Sequence, residues 1–436
     1  MRPSNVAWSL AGLVAPLAVA ALTLPALIEA IGMDRFGLLG LAWGLMGFAG
    51  LFDLGIGRAA TLTIARMRGG GRTDQVPLVL RIALRMSLRA GLVGTALLAL
   101  AVASGLHRHI RYPTALDAEV TLSACLLALT IPAQVVMATY RGVNEAFEQF
   151  RGISLVRIGL GVANFLGPFC IALYTQHLAA LVGSLLLSRL LALYAYRRLA
   201  NAHLKRHLAV IDPSADLAAA VDLRRQMLSF GGWFTLSCIV SPLITQSDRF
   251  FIGNLISTQA VATYTIPFEV VTQSLVVTGA ISSVAFPNLS ALYQSAPAEA
   301  AVVFRVWLRR VVTLMLAITV VIALALPTVL PLWIGPRLPA ESVLVGQILC
   351  IGVFANSIGS MYYARLHAKG RADVTAKLHV VELPLFVITL YLLIGQYGVL
   401  GAAMTWSGRM VLDALLLALA PPDMAMAGEP RPGGHP

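Results

Sequence analysis

The sequence predicts an all-α membrane protein of twelve transmembrane helices, built as two parallel six-helix repeats. Three observations carry that prediction. Only 12% of the 436 residues are charged, about half of the roughly 25% found in soluble domains. Fifty-eight per cent are hydrophobic and the mean hydropathy is +0.81, so most of the surface must face something other than water. Twelve apolar runs also reach the length of about 20 residues that a bilayer span requires.

The runs of the first set lie near 7–29, 37–60, 83–105, 118–139, 153–174 and 177–196. The second set lies near 230–252, 259–285, 311–334, 342–363, 376–395 and 398–420. These give an N-terminal lobe over 1–198, a connecting loop over 199–227, a C-terminal lobe over 228–420 and a disordered tail over 421–436. The opening segment, with Arg2 and an apolar core, is compatible with a signal peptide. Its run from Val6 to Ile28 is too long for one, which favours a retained first helix.

Charge distribution orients the spans. Twenty-three lysines and arginines fall on the side shared by the N-terminus and the long loop. Four, Arg35, Arg108, Arg111 and Arg337, fall on the other. The bias predicts that both termini and the long loop are cytoplasmic. It also accounts for the net charge of +12 without nucleic acid as a partner. Loops on the opposite side are too short for a folded domain.

A gap-free offset of 220 residues relates the two sets. It takes Arg85 and Arg89 to Arg305 and Arg309, Gln176 and Arg189 to Gln396 and Arg409, and Gly12 and Phe48 to Gly232 and Phe268. Six spans per repeat preserve orientation, so the halves are parallel repeats with a cavity between them, the plan of a transporter.

Charges deep in a bilayer are costly and usually face a cavity. Arg189 and Arg409 stand about twelve residues into their spans, one from each half, and are candidates for substrate binding. The alternative is local pairing, for which Asp413, one turn beyond Arg409, is the obvious partner. Glu269 and Glu382, the latter just before Pro384, are candidates for a coupling ion or else neutral hydrogen-bonding groups. Asp53 and Arg58 flank Gly55 and Gly57 and read as a structural pair, as do Asp248 and Arg249. Arg81, Arg85 and Arg89 form a basic stripe that can hold anionic head groups or a diphosphate, or simply set topology.

Other signals carry no chemistry. Gly69-Gly70-Gly71-Arg72 lacks the Lys-Ser/Thr of a phosphate loop. His107 and His109 have no carboxylate cluster near them in sequence. Cys125, Cys170, Cys238 and Cys350 sit in apolar runs without a CxxC pair, so no disulfide, metal or cofactor is expected. No ATPase or hydrolase motif is present, so the protein is expected to be a transporter without ATPase activity, not an enzyme.

Certain segments resemble a known family. Asp34-Arg35-Phe36-Gly37-Leu38-Leu39, leading to Phe52-Asp53-Leu54-Gly55-Ile56-Gly57-Arg58, resembles the opening of Wzx-like O-antigen and exopolysaccharide flippases. So do Gly231–Ser237, Ser241-Pro242 to Asp248-Arg249-Phe250, Tyr264–Glu269, and Phe286-Pro287-Asn288-Leu289-Ser290. The family lies in the superfamily that also holds the multidrug and toxic-compound extruders. The resemblance implies a V-shaped bundle working by alternating access. It implies as substrate an undecaprenyl-diphosphate-linked oligosaccharide, carried from the cytoplasmic to the periplasmic leaflet. It also implies a cationic cavity, which Arg189 and Arg409 fit, and ion coupling, for which Glu269 and Asp53 become candidates. Polysaccharide polymerase and glycosyltransferase machinery would be its partners. Twelve spans rather than fourteen argue against the peptidoglycan-precursor branch. A drug or cation antiporter of the same superfamily, and a membrane enzyme acting on the lipid-linked glycan, are the alternatives.

Overall fold

The computed structural model describes residues 3–48, 52–53, 55–69, 75–204, 232–279, 281–282, 289, 292–293, 296–335, 338–369 and 371–419. Every described element is helical: α1 (Pro3–Phe48), α2 (Ile56–Gly69), α3 (Val76–Ala103), α4 (Asp117–Ala146), α5 (Phe150–Ala172) and α6 (Leu178–Leu204) in the first half. The second half contains α7 (Gly232–Leu255), α8 (Thr258–Thr272), α9 (Pro297–Ile334), α10 (Glu341–Ala368), α11 (Ala372–Tyr397) and α12 (Val399–Leu419). Most of the connecting loop, the tail from 421, Gly70-Gly71-Arg72, Phe286-Pro287-Asn288 and Arg337 lie outside the described residues.

Eight helices among the described residues are long and apolar enough to cross a membrane. Their outward faces carry large side chains in the open, among them Leu100, Leu324 and Leu332, which are 66%, 75% and 80% exposed. Only a lipid surroundings makes such faces stable, and only helices or closed barrels satisfy backbone hydrogen bonding there.

Element boundaries shift for local reasons. α1 joins the first span to the outer part of the second through a kink at Gly32, where φ is 79° and a side chain would be strained. The second span is then broken between Phe48 and Ile56. There the Asp53 carboxylate accepts the Gly57 N–H at 3.3 Å and caps α2. Pro297 starts α9, fourteen residues ahead of the run beginning at 311. This entry turn carries Glu299 and Arg305, which an apolar window cannot register. α6 continues to Leu204, beyond the apolar run that ends near 196.

Each half packs mainly on itself. α1 lies on α5, α4 on α3 and α6, and α2 on α3 and α4; α12 lies on α10 and α11, and α10 on α8 and α9. The halves meet through the part of α1 beyond the kink, which packs on α7 and α8. Gly37, Gly40, Gly44 and Gly47 line this seam. A Cβ at Gly37 would overlap the Thr258 carbonyl, and one at Gly47 would lie 3.0 Å from Gln246 Nε2.

The seam occupies the end opposite the basic-rich loops. There Arg111 N–H donates to the Gly253 carbonyl at 2.8 Å, and Thr258 N–H to the Arg111 carbonyl at 3.0 Å. The Thr258 hydroxyl donates to Asp34 Oδ1 at 2.9 Å, and Trp333 Nε1 to the Ala21 carbonyl at 2.6 Å. One continuous core of both halves runs beneath these contacts, with Leu27, Leu39, Tyr264 and Leu349 in it. At the basic-rich end the first half has a separate core, with Ile64, Val79, Val143 and Tyr196, containing no residue of the second half. The bundle is therefore sealed at the seam end, and among the described residues the first half keeps a core of its own at the other.

Candidate functional site

Arg189 stands in the middle of α6, 9% exposed. Its Nη2 donates to Asn164 Oδ1 on α5 at 3.1 Å, and its Nη1 to Ser188 Oγ at 3.3 Å. Both partners are neutral. No carboxylate among the described residues forms an ion pair with it. A guanidinium held this way carries a charge that no carboxylate among the described residues offsets.

Arg409 stands at the matching point of α12 and likewise reaches the fifth helix of its half. Its partner there is charged: Nε meets Glu382 Oε2 at 3.3 Å, and the guanidinium lies 5.9 Å from the centre of the Phe386 ring. The expected partner, Asp413, is near but secondary. Glu382 and Arg409 line a cavity of about 140 Å³ between α11 and α12, with Phe386, Thr389 and Thr405. The two arginines thus occupy equivalent places with different electrostatics, one held by neutral partners and the other paired with a carboxylate.

Among the described residues, one group has the chemistry of a metal site. His379, Glu382 and Asp413 place their ligand atoms within 4.8 Å of one another. Arg409 on Glu382 makes the group unlike a divalent-metal centre, because a cation already holds one carboxylate.

Glu269, on α8, is bound to Arg249 Nη2 at 2.7 Å and is 26% exposed. Arg249 also donates to the Gly40 carbonyl across the seam at 3.3 Å. The Asp248–Arg249 pair expected from sequence is re-partnered. Asp248 accepts the Tyr264 hydroxyl at 2.6 Å and the Arg249 backbone N–H at 2.8 Å. Adjacent residues on a helix do not face each other, so the two side chains leave in different directions. Asp53 serves as the cap of α2, with the charges of Arg58 and Arg141 acting on it. Arg58 is also within electrostatic reach of Tyr363 in the other half.

Arg85 and Arg89 are not brought to Arg189. With Arg81 they occupy the exposed face of α3, which continues as Leu92, Val93, Ala96 and Leu100, all exposed. That face is the lipid face, and the arginines meet it at head-group depth. Arg305 and Arg309 are exposed at the corresponding place on α9.

Several partners carried no strong sequence signal. Glu119 binds Arg35 through two hydrogen bonds of 2.8 and 3.2 Å and accepts the Leu178 N–H at 2.8 Å, joining α1, α4 and α6 at the sealed end. Nearby, the Tyr112 hydroxyl donates to Asp117 at 2.8 Å. Burial, with Asp117 beside it, pushes that phenol up to about 12. A largely apolar cavity of about 400 Å³ lies between α1, α3, α4 and α7 at this end, with Leu38, Leu98, Val120 and Phe251 in its wall.

This helical bundle, with buried charges at mid-span, has the fold of the multidrug and toxic-compound extrusion transporters. Solved structures with this fold include an inward-facing multidrug-resistance transporter of the MOP superfamily. It is 16% identical, with a TM-score of 0.72 over 92% of this chain and 96% of that one. A Pyrococcus furiosus transporter of the superfamily, described as having a binding pocket of reversed polarity, gives 16% identity and a TM-score of 0.67 over 95% and 93%. The bent form of the Vibrio cholerae transporter VcmN gives 15% and 0.62 over 95% and 94%. The chain belongs to the polysaccharide biosynthesis protein family, whose model matches residues 4–293. It is 28% identical over 416 residues to a Shigella flexneri protein named "Putative O-antigen transporter", covering 95% of this chain and 96% of that one. The protein is therefore a multi-pass membrane protein of the polysaccharide biosynthesis protein family, with the fold of the multidrug and toxic-compound extrusion transporters.

Proposed function

We propose that the protein flips an undecaprenyl-diphosphate-linked oligosaccharide from the cytoplasmic to the periplasmic leaflet of a bacterial inner membrane, by alternating access and at the expense of an ion gradient. The observation that carries this reading is Arg189, a mid-span cation whose described partners are neutral. Such a group recognises an anion, and a diphosphate is the anionic part of the lipid carrier.

The separate core that the first half keeps at the basic-rich end supports an opening toward the cytoplasm, where the substrate is assembled. Loading there is followed by closure at that end and parting of the glycine-lined seam. The N- and C-terminal lobes, about 1–198 and 228–420, act as the two moving bodies, with both termini cytoplasmic. A cation extruder would need open carboxylates at mid-depth. Here Glu382 is held by Arg409, Glu269 by Arg249 and Asp248 by Tyr264.

The test is deletion of the gene in its own host. Loss of surface glycan together with build-up of its lipid-linked precursor is the expected result. Unchanged surface glycan and precursor would refute the reading.

A further inference from the structure

Resting on that anion-transport reading, we propose that His379, Glu382 and Asp413 form a proton-binding site that controls whether Arg409 is available to the anion.

The placement follows from two helix spacings. His379 and Glu382 are three apart on α11, and Arg409 and Asp413 four apart on α12, so each pair shares a face. The helices are joined by Gly398 alone, which turns α12 back along α11. His379 Nε2 comes within 3.9 Å of Asp413 Oδ1, and Arg409 Nε within 3.3 Å of Glu382 Oε2.

The charges do not balance. Two carboxylates face one guanidinium and one imidazole, leaving one excess negative charge when the imidazole is neutral. Glu382 is 2% exposed and Asp413 9%, and an uncompensated charge at such a depth is costly. Among the described residues, the only charged or titratable groups acting on Glu382 are Arg409 and Asp413. Those acting on Asp413 are His379, Arg409 and Glu382. From α10, Tyr363 and His367 face the same region, and the charge of Arg58 on α2 reaches Tyr363. The charges of α7 are engaged elsewhere, with Tyr264 and Glu269. One added proton restores neutrality.

The hydrogen bonds are also one proton short. Glu382 Oε1 and Asp413 Oδ1 are buried without a hydrogen-bond partner among the described residues, and Arg409 Nη1 likewise lacks an acceptor. Two carboxylate oxygens cannot bond to each other. A proton on either carboxyl supplies the missing donor.

A metal ion fits less well. A divalent cation would overshoot the balance to a net positive charge beside Arg409. Hard cations also require many oxygen ligands, whereas this group offers two carboxylates, one of them already held, and a ring nitrogen.

Access exists on both sides. A cavity of about 510 Å³ is lined by Ser282, Asn356, Ser360, Tyr363 and His367. The Tyr363 ring stacks on His367 at 4.0 Å and lies parallel to His379 at 6.5 Å. On the far side Glu382 and Arg409 border the smaller cavity between α11 and α12. The cluster separates two hollows and has imidazoles on its approach.

Protonation has a direct consequence for Arg409. While Glu382 is ionised, it cancels the guanidinium charge. A proton on Glu382 removes the carboxylate that pairs directly with the guanidinium at the cavity wall, leaving Asp413, one turn away, as the only remaining counter-charge among the described residues. Proton binding and anion binding then reinforce each other, and by linkage the effect is reciprocal.

Two measurements on the full-length protein in nanodiscs test this. The first is potentiometric titration between pH 5 and 9 without added ligand. Glu382→Gln and Asp413→Asn are each expected to release about one proton fewer than the native protein. Equal proton release in all three, or a native curve displaced by sodium at constant ionic strength, would overturn the site. The second is binding of geranylgeranyl diphosphate by calorimetry in buffers of different ionisation enthalpy. About one proton is expected to be taken up per diphosphate bound, and none in Glu382→Gln. Binding with no proton uptake by the native protein would overturn the coupling to Arg409. Absence of diphosphate binding with the titration difference intact would instead count against the lipid-diphosphate substrate and leave the proton site standing.

Discussion

The glycine seam gives the sharpest perturbation. Gly37→Ala adds one methyl group where the Thr258 carbonyl already lies, so α1 and α8 must separate at that level. The overlap exists only while the seam is closed. Overpacking of a tight contact costs about 1–3 kcal/mol, and the whole cost falls on the closed state. The equilibrium should therefore shift about 5- to 150-fold toward parting of the seam. Val261, fully buried beside it on α8, provides the reporter. In a background without native cysteines, Val261→Cys is labelled by a membrane-impermeant maleimide added from outside the cell. The labelling rate should rise several-fold or more on adding Gly37→Ala. Gly159→Ala, where a Cβ meets nothing within 4 Å, should leave it unchanged. If Gly37→Ala labels at the parental rate with normal amounts of protein in the membrane, the seam is not the outer gate.

Four further outcomes are expected. Arg409→Leu strands the Glu382 carboxylate, which is 2% exposed, and should cost about 3 kcal/mol; thermal unfolding should show the loss, and adding Glu382→Leu should recover most of it. Arg189→Gln should reduce surface glycan in a complementation assay while immunoblotting shows an unchanged membrane level, and normal glycan would remove Arg189 from the substrate site. Glu119→Gln weakens the charged bonds to Arg35 and Leu178 and should lower stability by about 2 kcal/mol, measured by thermal unfolding. A reporter fused at Val210 should read cytoplasmic, as the 23-to-4 bias of basic residues requires.

The spans were legible because lipid demands long apolar runs, and a window detects those directly. The break in the second span was signalled only by Gly55 and Gly57 with their flanking charges, because Leu51, Phe52, Leu54 and Ile56 keep the run apolar while the backbone turns at Gly55, where φ is 72°. The buried arginines stood out by depth alone, but their partners did not. Asp413 was the near neighbour of Arg409 in sequence, whereas Glu382 reaches it because α11 crosses α12 at that level. Asn164 is uncharged and gives no signal at all. His379, one turn before Glu382, was readable in principle as a second titratable group on the same helix face.

Because the second span is interrupted at its middle, its two pieces have separate loyalties. The outer piece, 33–48, leans on α7 and α8, while α2 leans on α3 and α4. Suppressor genetics should reflect this division. Defects created in the outer piece should be rescued by second changes beyond residue 232, and defects in α2 by changes before residue 146. A single membrane crossing would thus belong, by inheritance of its compensating mutations, to two different bodies.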